Sequence, residues 1–460
     1  MNKLIKCALV IGLTTGLSSC HIYKKYETPT DTALTKSYAE ALAEPVDSTA
    51  FGNLPWQTVF TDPLLVDLIN KALENNTNLR NAQLNVEAAR AQVLGARLSY
   101  LPSVALAPNG SGSSYAGNDF SWTYQLPAQV SWEVDVFGKI LNSKRGAEVS
   151  LKQTEAYEQA VRSQIISAVA TTYYTLAAVN TQLELSRATS GLWKETVQTM
   201  RDLKEAGRTN EAAVMQSEAN YFNILASITD LEASVVKLNN TMSLLLNTMP
   251  QEWIVNPDAV LSAPEVARNG VAMSTLAARP DVAAAEMTLA KAYYSTNSAR
   301  AAFYPGLVIT ANGGFTNLLG SFIQNPGDWF VQLAGSLTAP LFSRGRNIAT
   351  LKAAKAQQQS ALNTFEYTLL NAASEVSNAL TVYEKSIEKA THLDNQVADL
   401  EKAVSMTQDL FVYSTGSVDY LQVITAQQGL LGAQISRISC QQARNLAVIN
   451  LYQALGGGKK

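Results

Sequence analysis

Cysteine and histidine are almost missing from this chain. The cysteines are Cys7, Cys20 and Cys440, and the histidines are His21 and His392. No CxxC, HExxH or mixed His/Cys cluster exists, which argues against a zinc centre. Two of the cysteines fall in the first twenty residues, so the rest of the chain has no internal disulfide framework. Cys440 sits in a helical pattern and reads as a packed thiol. Charge is scarce too: 16% of residues are Asp, Glu, Lys or Arg, against ~25% in ordinary soluble domains. The formal net charge is -3 and the basic residues are dispersed, so nucleic acid is not an expected partner. Paired carboxylates, a nucleophile elbow and a phosphate-binding loop are all lacking. Asp and Glu are scattered over helical faces, and neither an enzyme nor a cofactor is expected. No segment reaches the roughly 20 apolar residues of a spanning helix. If this chain crosses a membrane, it does so as a β-barrel.

The first residues read as an address. Lys3 and Lys6 precede an apolar run from Cys7 to Leu17, followed by Leu17-Ser18-Ser19-Cys20. A basic start, a short apolar stretch and small residues describe an export signal. Leu-Ser-Ser-Cys resembles a bacterial lipobox, which implies cleavage before Cys20 and acylation of its thiol and new amine. His21 stands after the cysteine where a retaining Asp would keep the protein at the inner membrane. Residues 1–19 are expected to be the signal peptide, and 20–60 a lipid-anchored N-terminal segment.

The remainder contains itself twice. Ala96-Arg97-Leu98-Ser99-Tyr100-Leu101-Pro102 recurs as Ala299-Arg300-Ala301-Ala302-Phe303-Tyr304-Pro305. Val136-Phe137-Gly138 resembles Leu341-Phe342 and the nearby Gly345, and Gly207 corresponds to Gly416. The repeats are assigned to 61–250 and 265–457. The segment 251–264, next to Pro250 and containing Pro257 and Pro264, reads as a linker.

Proline is absent from Ala128 to Met249 and after Pro340, and these regions carry the predicted long helices. Leu362, Phe365, Leu369, Ala372, Val376, Ala379, Tyr383, Ser386, Ala390, Leu393, Val397, Leu400, Val404, Thr407 and Phe411 are spaced alternately by three and four. That is a coiled-coil stripe. Tyr221, Ile224, Ile228, Leu231, Val235, Leu238, Met242 and Leu245 repeat it in the first half. A helix over Asn142–Ala206 would be ~98 Å long at 1.5 Å per residue, far beyond the average globular helix of about 12 residues.

A different period lies between the shorter and longer helix of each half. Tyr124, Leu126, Ala128, Val130, Trp132, Val134 and Val136 alternate with mostly polar residues, which predicts a strand with one apolar face. Val104 and Leu106 begin a weaker partner before a Gly/Ser loop at 109–121. In the second half Leu307, Ile309 and Ala311 precede a loop, and Val331, Leu333 and Leu337 follow it. Trp122, Tyr124, Trp329 and Phe330 sit at the loop ends, where interfacial aromatics of membrane barrels belong. About four strands per chain cannot close a barrel, so their open edges must pair with other copies. Two copies would give eight strands and three would give twelve, and strand number alone leaves the count open.

These features resemble the TolC-like outer-membrane efflux proteins, in particular the lipoprotein branch serving RND-type pumps. Tyr26-Glu27-Thr28-Pro29 fits the family's Tyr-x-x-Pro. Trp56, Phe60, Asp62-Pro63, Leu65 and Leu68-Ile69 fit its first helical block. Ala278-Arg279-Pro280-Asp281-Val282 with Ala285-Glu286 is similar to its "RPDV..AE" signature, and Tyr413, Gly416, Asp419-Tyr420-Leu421 and Ala426-Gln427 to its "Y..G...YL...AQ" turn. The resemblance implies an α+β membrane protein: a homotrimer whose twelve-stranded barrel, four strands per chain, continues as a coiled-coil helical tunnel across the periplasm. It implies that Gly207, Tyr413, Gly416 and Asp419 lie at the periplasmic tip, where an adaptor (membrane fusion) protein docks, below it an inner-membrane pump of RND type. Many relatives carry a pore-facing Asp nine residues after the second turn glycine. Here that position is Thr425, and Asp419 is the alternative constriction residue. The implied function is a passive exit duct for small molecules across periplasm and outer membrane. The alternatives are a duct for type I protein secretion and a structural coiled-coil lipoprotein. The lipobox and Tyr-x-x-Pro favour the small-molecule duct, and the alternating strands argue against a mere spacer.

Overall fold

The computed structural model describes residues 24–43, 51–114, 119–261, 273–318, 328–413 and 420–458. Eight main helices and five strands are found among them. The helices are α1 (Ala33–Ala43), α2 (Pro63–Asn75), α3 (Thr77–Leu98), α4 (Lys139–Glu205), α5 (Glu211–Leu245), α6 (Pro280–Ala301), α7 (Arg346–Tyr413) and α8 (Tyr420–Ala454). The strands are β1 (Ser103–Leu106), β2 (Asn109–Ser113), β3 (Ser121–Val134), β4 (Gly306–Leu318) and β5 (Asp328–Thr338). Short helical turns lie at Trp56–Val59 and Met273–Ala277. No helix among the described residues is long and apolar enough to cross a membrane.

The duplication is visible in element lengths. Helices α3 and α6 each have 22 residues, α4 and α7 have 67 and 68, and α5 and α8 each have 35. The residues that set the boundaries repeat as well. Gly138 and Gly345, at φ +69 and +76, directly precede α4 and α7. A left-handed backbone is one that glycine enters without steric cost.

Residues group into two compact units. One comprises the chain up to Thr35, Leu84–Ala156 and Ala283–Tyr367. It carries the whole sheet. The other comprises Lys36–Gln83, Tyr157–Val282 and Thr368–Lys460 and is helical. Its core gathers Trp56, Phe60, Leu65, Ile69, Ile166, Tyr173, Met242 and Tyr452. Each such side chain contributes about 1.5–3 kcal/mol on full burial. Tyr452 ties the C-terminal tail down: its hydroxyl donates to Leu54 O (2.8 Å) and accepts from Gly458 N (2.8 Å). Tyr173 donates to Asp62 Oδ2 (2.7 Å) and accepts from Asn256 N (3.0 Å). Asp62 also caps α2 by accepting from Leu64 N, and Pro63 follows at the first helical position, where its missing N–H costs nothing.

The predicted stripe of α7 is the buried one. Phe365, Leu369, Ala372, Val376, Ala379, Leu393 and Val397 are buried, and the other members from Leu362 to Phe411 are half-buried, except Ser386, a buried polar member. The α5 stripe is half-buried, with Ile224 and Met242 fully so. Each half also locks the end of its last helix in an analogous way. Asn76 caps α3 and donates through Nδ2 to Leu245 O (2.8 Å), at the end of α5. At the equivalent place before α6, Arg279 donates to Ala454 O (2.6 Å), at the end of α8.

Candidate functional site

The sheet is built by pairing the two halves. Its order is β1–β3–β4–β5, all antiparallel, with β2 also on β3. Strands β1 and β2 keep one register against β3 and form a single stave interrupted at Ala107-Pro108. Ala107 N still donates to Pro127 O (3.0 Å). The expected loop at 109–121 is therefore corrected: its first five residues are strand. Glycine and serine there have low strand propensity, and pairing with Ser121–Gln125 overrides it.

Register decides which face each residue takes. Across the staves Val104 aligns with Val130, Ala311 and Leu333. Leu126 aligns with Phe315 and Trp329, and Val134 with Leu307 and Leu337. The alternate rows are polar: Ser103, Ser131 and Thr310; Gln129, Asn312 and Gln332; Gln125, Thr316 and Asp328. One face is thus apolar across all four staves and the other predominantly polar. Large apolar side chains stand bare on the apolar face, among them Leu106, Leu333 and Leu337. A soluble domain does not leave such a patch open. A barrel in lipid requires it. Strands of 11 to 14 residues, at about 3.3 Å each and tilted near 45°, cross the apolar band of roughly 25 Å.

Trp122 and Trp329 are exposed on this face at the loop ends. Trp132 lies at the opposite rim, and its indole N–H donates to Tyr100 O (3.0 Å). Phe330 follows Trp329 and so points to the other face, and Tyr124 is buried. These two residues do not join an aromatic girdle.

A strap from Lys24 runs along the same unit. Arg145 Nη1 donates to Lys24 O (3.3 Å), Tyr26 N to Tyr294 Oη (3.0 Å), Thr28 Oγ1 to Glu286 Oε1 (2.6 Å) and Thr32 Oγ1 to Glu366 Oε1 (3.0 Å). Burial, reinforced by the Glu286 charge, pushes the Tyr26 hydroxyl well above its ordinary value.

A short turn joins α4 to α5 in the helical unit. Helix α4 stops in a Schellman turn: Gly207 N donates to Lys204 O (2.9 Å) and Arg208 N to Leu203 O (2.8 Å), with Gly207 at φ +72. Asn210 then caps α5 by accepting from Ala213 N (3.0 Å). Lys204 pairs with Glu211, and Arg201 with Glu218 at 2.5 Å. Trp193, Met200, Val214 and Ile224 of this hairpin pack with Tyr420, Val423 and Ile424 of α8. Phe411 meets Tyr420 edge to face at 5.0 Å. Residues of α4, α5, α7 and α8 therefore meet in one apolar cluster.

The sequence profile of the family described as "Outer membrane efflux protein" matches residues 68–248 and 271–457. The chain belongs to that family. It is 28% identical to the cation efflux system protein CusC of Escherichia coli (strain K12), over 99% of both chains. It is 29% identical to the solvent efflux pump outer membrane protein SrpC of Pseudomonas putida, over 87% of this chain and 86% of SrpC. A crystal structure of CusC superposes with TM-score 0.83 at 26% identity, covering 95% of this chain and 100% of that one. The outer-membrane channel OprN gives TM-score 0.84 at 26% identity, covering 95% and 99%. This outer membrane efflux protein is a channel component of an efflux pump, located in the outer membrane, and not an enzyme.

Of the expected site residues, Cys20, Gly416 and Asp419 lie outside the described residues. Tyr413 is the last residue of α7. Thr425 is exposed on α8, and its hydroxyl donates to Leu421 O (2.7 Å). Sequence reasoning quoted Arg279 only as part of a signature, and the structure gives it a task. Its guanidinium is nearly enclosed and bonds Asp281 twice (3.0 and 2.8 Å) and Glu375 (2.6 Å), besides Ala454 O. Burial alone would disfavour the Asp281 charge. The Arg279 bonds outweigh it and hold the carboxyl below its ordinary value. An arginine beside Pro-Asp at a helix start was the only signal for this cap.

Proposed function

We propose that three copies of this chain close a twelve-stave barrel in the outer membrane and continue it as a helical duct into the periplasm. The observation that carries this reading is the four-stave sheet, with an apolar face, a predominantly polar face and two edges that have no strand partner among the described residues. Unpaired edges inside a hydrocarbon layer cost several kcal/mol per polar group, so only closure by further copies is stable. Three copies give a wall wide enough to leave a passage, whereas eight staves fill their own interior. Exposed apolar residues on the helices, such as Phe222, Leu244, Tyr367 and Leu370, supply surface for the same association.

Acylation at Cys20 anchors the chain. The strap beginning at Lys24, held by Arg145, supports an anchor kept within a few residues' reach of the sheet unit. At the other end, the turns at Gly207 and Gly416, with Tyr413 and Asp419, form the mouth on which a periplasmic adaptor docks. An inner-membrane pump of RND type supplies the energy, and Asp419 and Thr425 line the constriction. The cargo is small molecules: CusC is named for cations and SrpC for solvents. Native mass spectrometry in detergent tests the assembly. Three copies are expected, and a stable single copy refutes it.

A further inference from the structure

The helices of the sheet-bearing unit sort their charges between two sides. A groove of about 740 Å³ crosses α3, α4, α6 and α7. Its walls are small or neutral polar residues, among them Gln92, Ser150, Ser295, Ser298 and Gln357, and Lys291 is the one charged residue among those that line it. Lys291 is exposed, and its ammonium donates to Ser150 Oγ (3.3 Å). The acidic residues of the same helix segments are engaged elsewhere. Glu148 meets Arg97 and Glu155 meets Arg90 (3.4 Å each), while Glu286 and Glu366 accept from Thr28 and Thr32 of the strap. Glu87 is exposed and does not line the groove.

Helical phase separates the two sides. Thr288, Lys291, Ser295 and Ser298 form one stripe of α6, and Thr350, Ala354, Gln357, Ala361 and Thr364 form one stripe of α7, both at spacings of three and four. Glu286 stands two residues from Thr288, and Glu366 two from Thr364, which is about 200° round the helix. The strap held by these two carboxylates therefore lies on the face opposite the groove. In the duct proposed above, acylation at Cys20, four residues before Lys24, puts the strap on the lipid side of the wall. The groove then opens to the water side.

We propose that this groove is a binding site for small organic anions inside the duct, with Lys291 pairing with their carboxylate or sulfonate group. The proposal rests on the duct reading and narrows its cargo. An ammonium offers three donors and no acceptor, and serine hydroxyls and glutamine amides can each turn a donor toward an anion. Bonds from a charged donor to an anion are the strong ones. Ala299 and Ala302, also in the lining, give the carbon skeleton an apolar wall. The volume lies within the roughly 300–1,000 Å³ of small-molecule sites. A metal cation finds no carboxylate in this lining, and the ammonium repels it, so the groove selects against cations.

Ser295→Cys in the full-length protein with Cys440→Ser tests the site. Ser295 is exposed in the groove and lies one helical turn from Lys291, about 5–6 Å between Cβ atoms. In native membranes its thiol would be treated with methanethiosulfonates carrying either an anionic sulfonate or a cationic trimethylammonium group. At that distance in salted water, Lys291 is expected to raise the anionic-to-cationic rate ratio about three- to tenfold over Lys291→Gln, and Lys291→Arg should keep the rise. Added 1-naphthalenesulfonate should slow the reaction with a neutral reagent, and should not do so in Lys291→Gln. The matching cation, 1-naphthylmethylammonium, should protect neither. A rate ratio unmoved by Lys291→Gln, or equal protection by the cation, overturns the site. So does a lack of sulfonate protection while native mass shows three copies. Single copies in the native mass of the Cys440→Ser parent overturn the duct itself, and the cargo site with it.

Discussion

Replacing Arg279 with alanine removes the clamp that joins α6, α7 and the end of α8. The guanidinium side chain is 6% exposed, and it satisfies Ala454 O, Asp281 and Glu375 at 2.6–3.0 Å. The two carboxylates are each 46% exposed. Water therefore re-solvates them in the variant, and their Coulombic share is discounted accordingly. The larger loss is the carbonyl of Ala454, left without its charged donor at a cost of about 1–3 kcal/mol. With the residual repulsion of two unscreened carboxylates, the expected destabilisation is about 2–3 kcal/mol at pH 7. Arg279→Lys keeps the charge but loses the planar fork, so it should retain only part of the stability. Thermal unfolding of the detergent-solubilised protein, followed by helix circular dichroism, reads both. A fall of about 2–3 °C is expected for alanine. The pH dependence adds an internal check. Asp281 has a lowered value in the folded protein, so its contribution is complete above the ordinary carboxylate value. It is lost as pH falls through the lowered one. The gap between wild type and Arg279→Ala should narrow on acidification below about pH 4, leaving the share due to the Ala454 carbonyl. Equal unfolding temperatures at pH 7, or a gap that widens in acid, would refute the reasoning.

Val376 is 3% exposed within the α7 stripe. Val376→Pro removes a helix bond and clashes with the preceding turn, costing ~3 kcal/mol or more, so it should abolish assembly on native gels, while Val376→Ala assembles. Gly207 has φ +72 with open space around its absent Cβ. Gly207→Ala should therefore lose about 1–2 kcal/mol from the left-handed backbone alone. Hydrogen exchange over 203–211 should accelerate for alanine and less for asparagine, and unchanged exchange would count against the turn. Cys20→Ala should eliminate incorporation of labelled palmitate, and a wild-type protein without label would remove the anchor from the account.

The long helices were legible because two simple signals coincide in them. Proline is absent, and small or apolar residues recur every three or four positions; Phe365, Leu369 and Val376 are accordingly buried. Strand β3 was equally legible from its period of two. Strand β2 was not, since Asn109-Gly110-Ser111-Gly112-Ser113 carries turn residues and becomes a strand only by pairing with β3. The caps made by Asn76 and Arg279 on Leu245 and Ala454 join residues more than a hundred positions apart. A sequence shows the polar residue at the helix start and not the distant carbonyl. The convergence of Trp193 and Tyr420 at the hairpin end was hidden likewise, because each belongs to a different half.

The most direct test of the central claim, a wall with lipid on one face and water on the other, is thiol labelling along β5. Single cysteines at 330–338, in the Cys440→Ser background, would be treated in native membranes with a charged, water-soluble maleimide. Gln332, Ala334, Ser336 and Thr338 on the polar face should react, while Val331, Leu333 and Leu337 should not. Uniform labelling along the strand, or the opposite alternation, would contradict a channel wall.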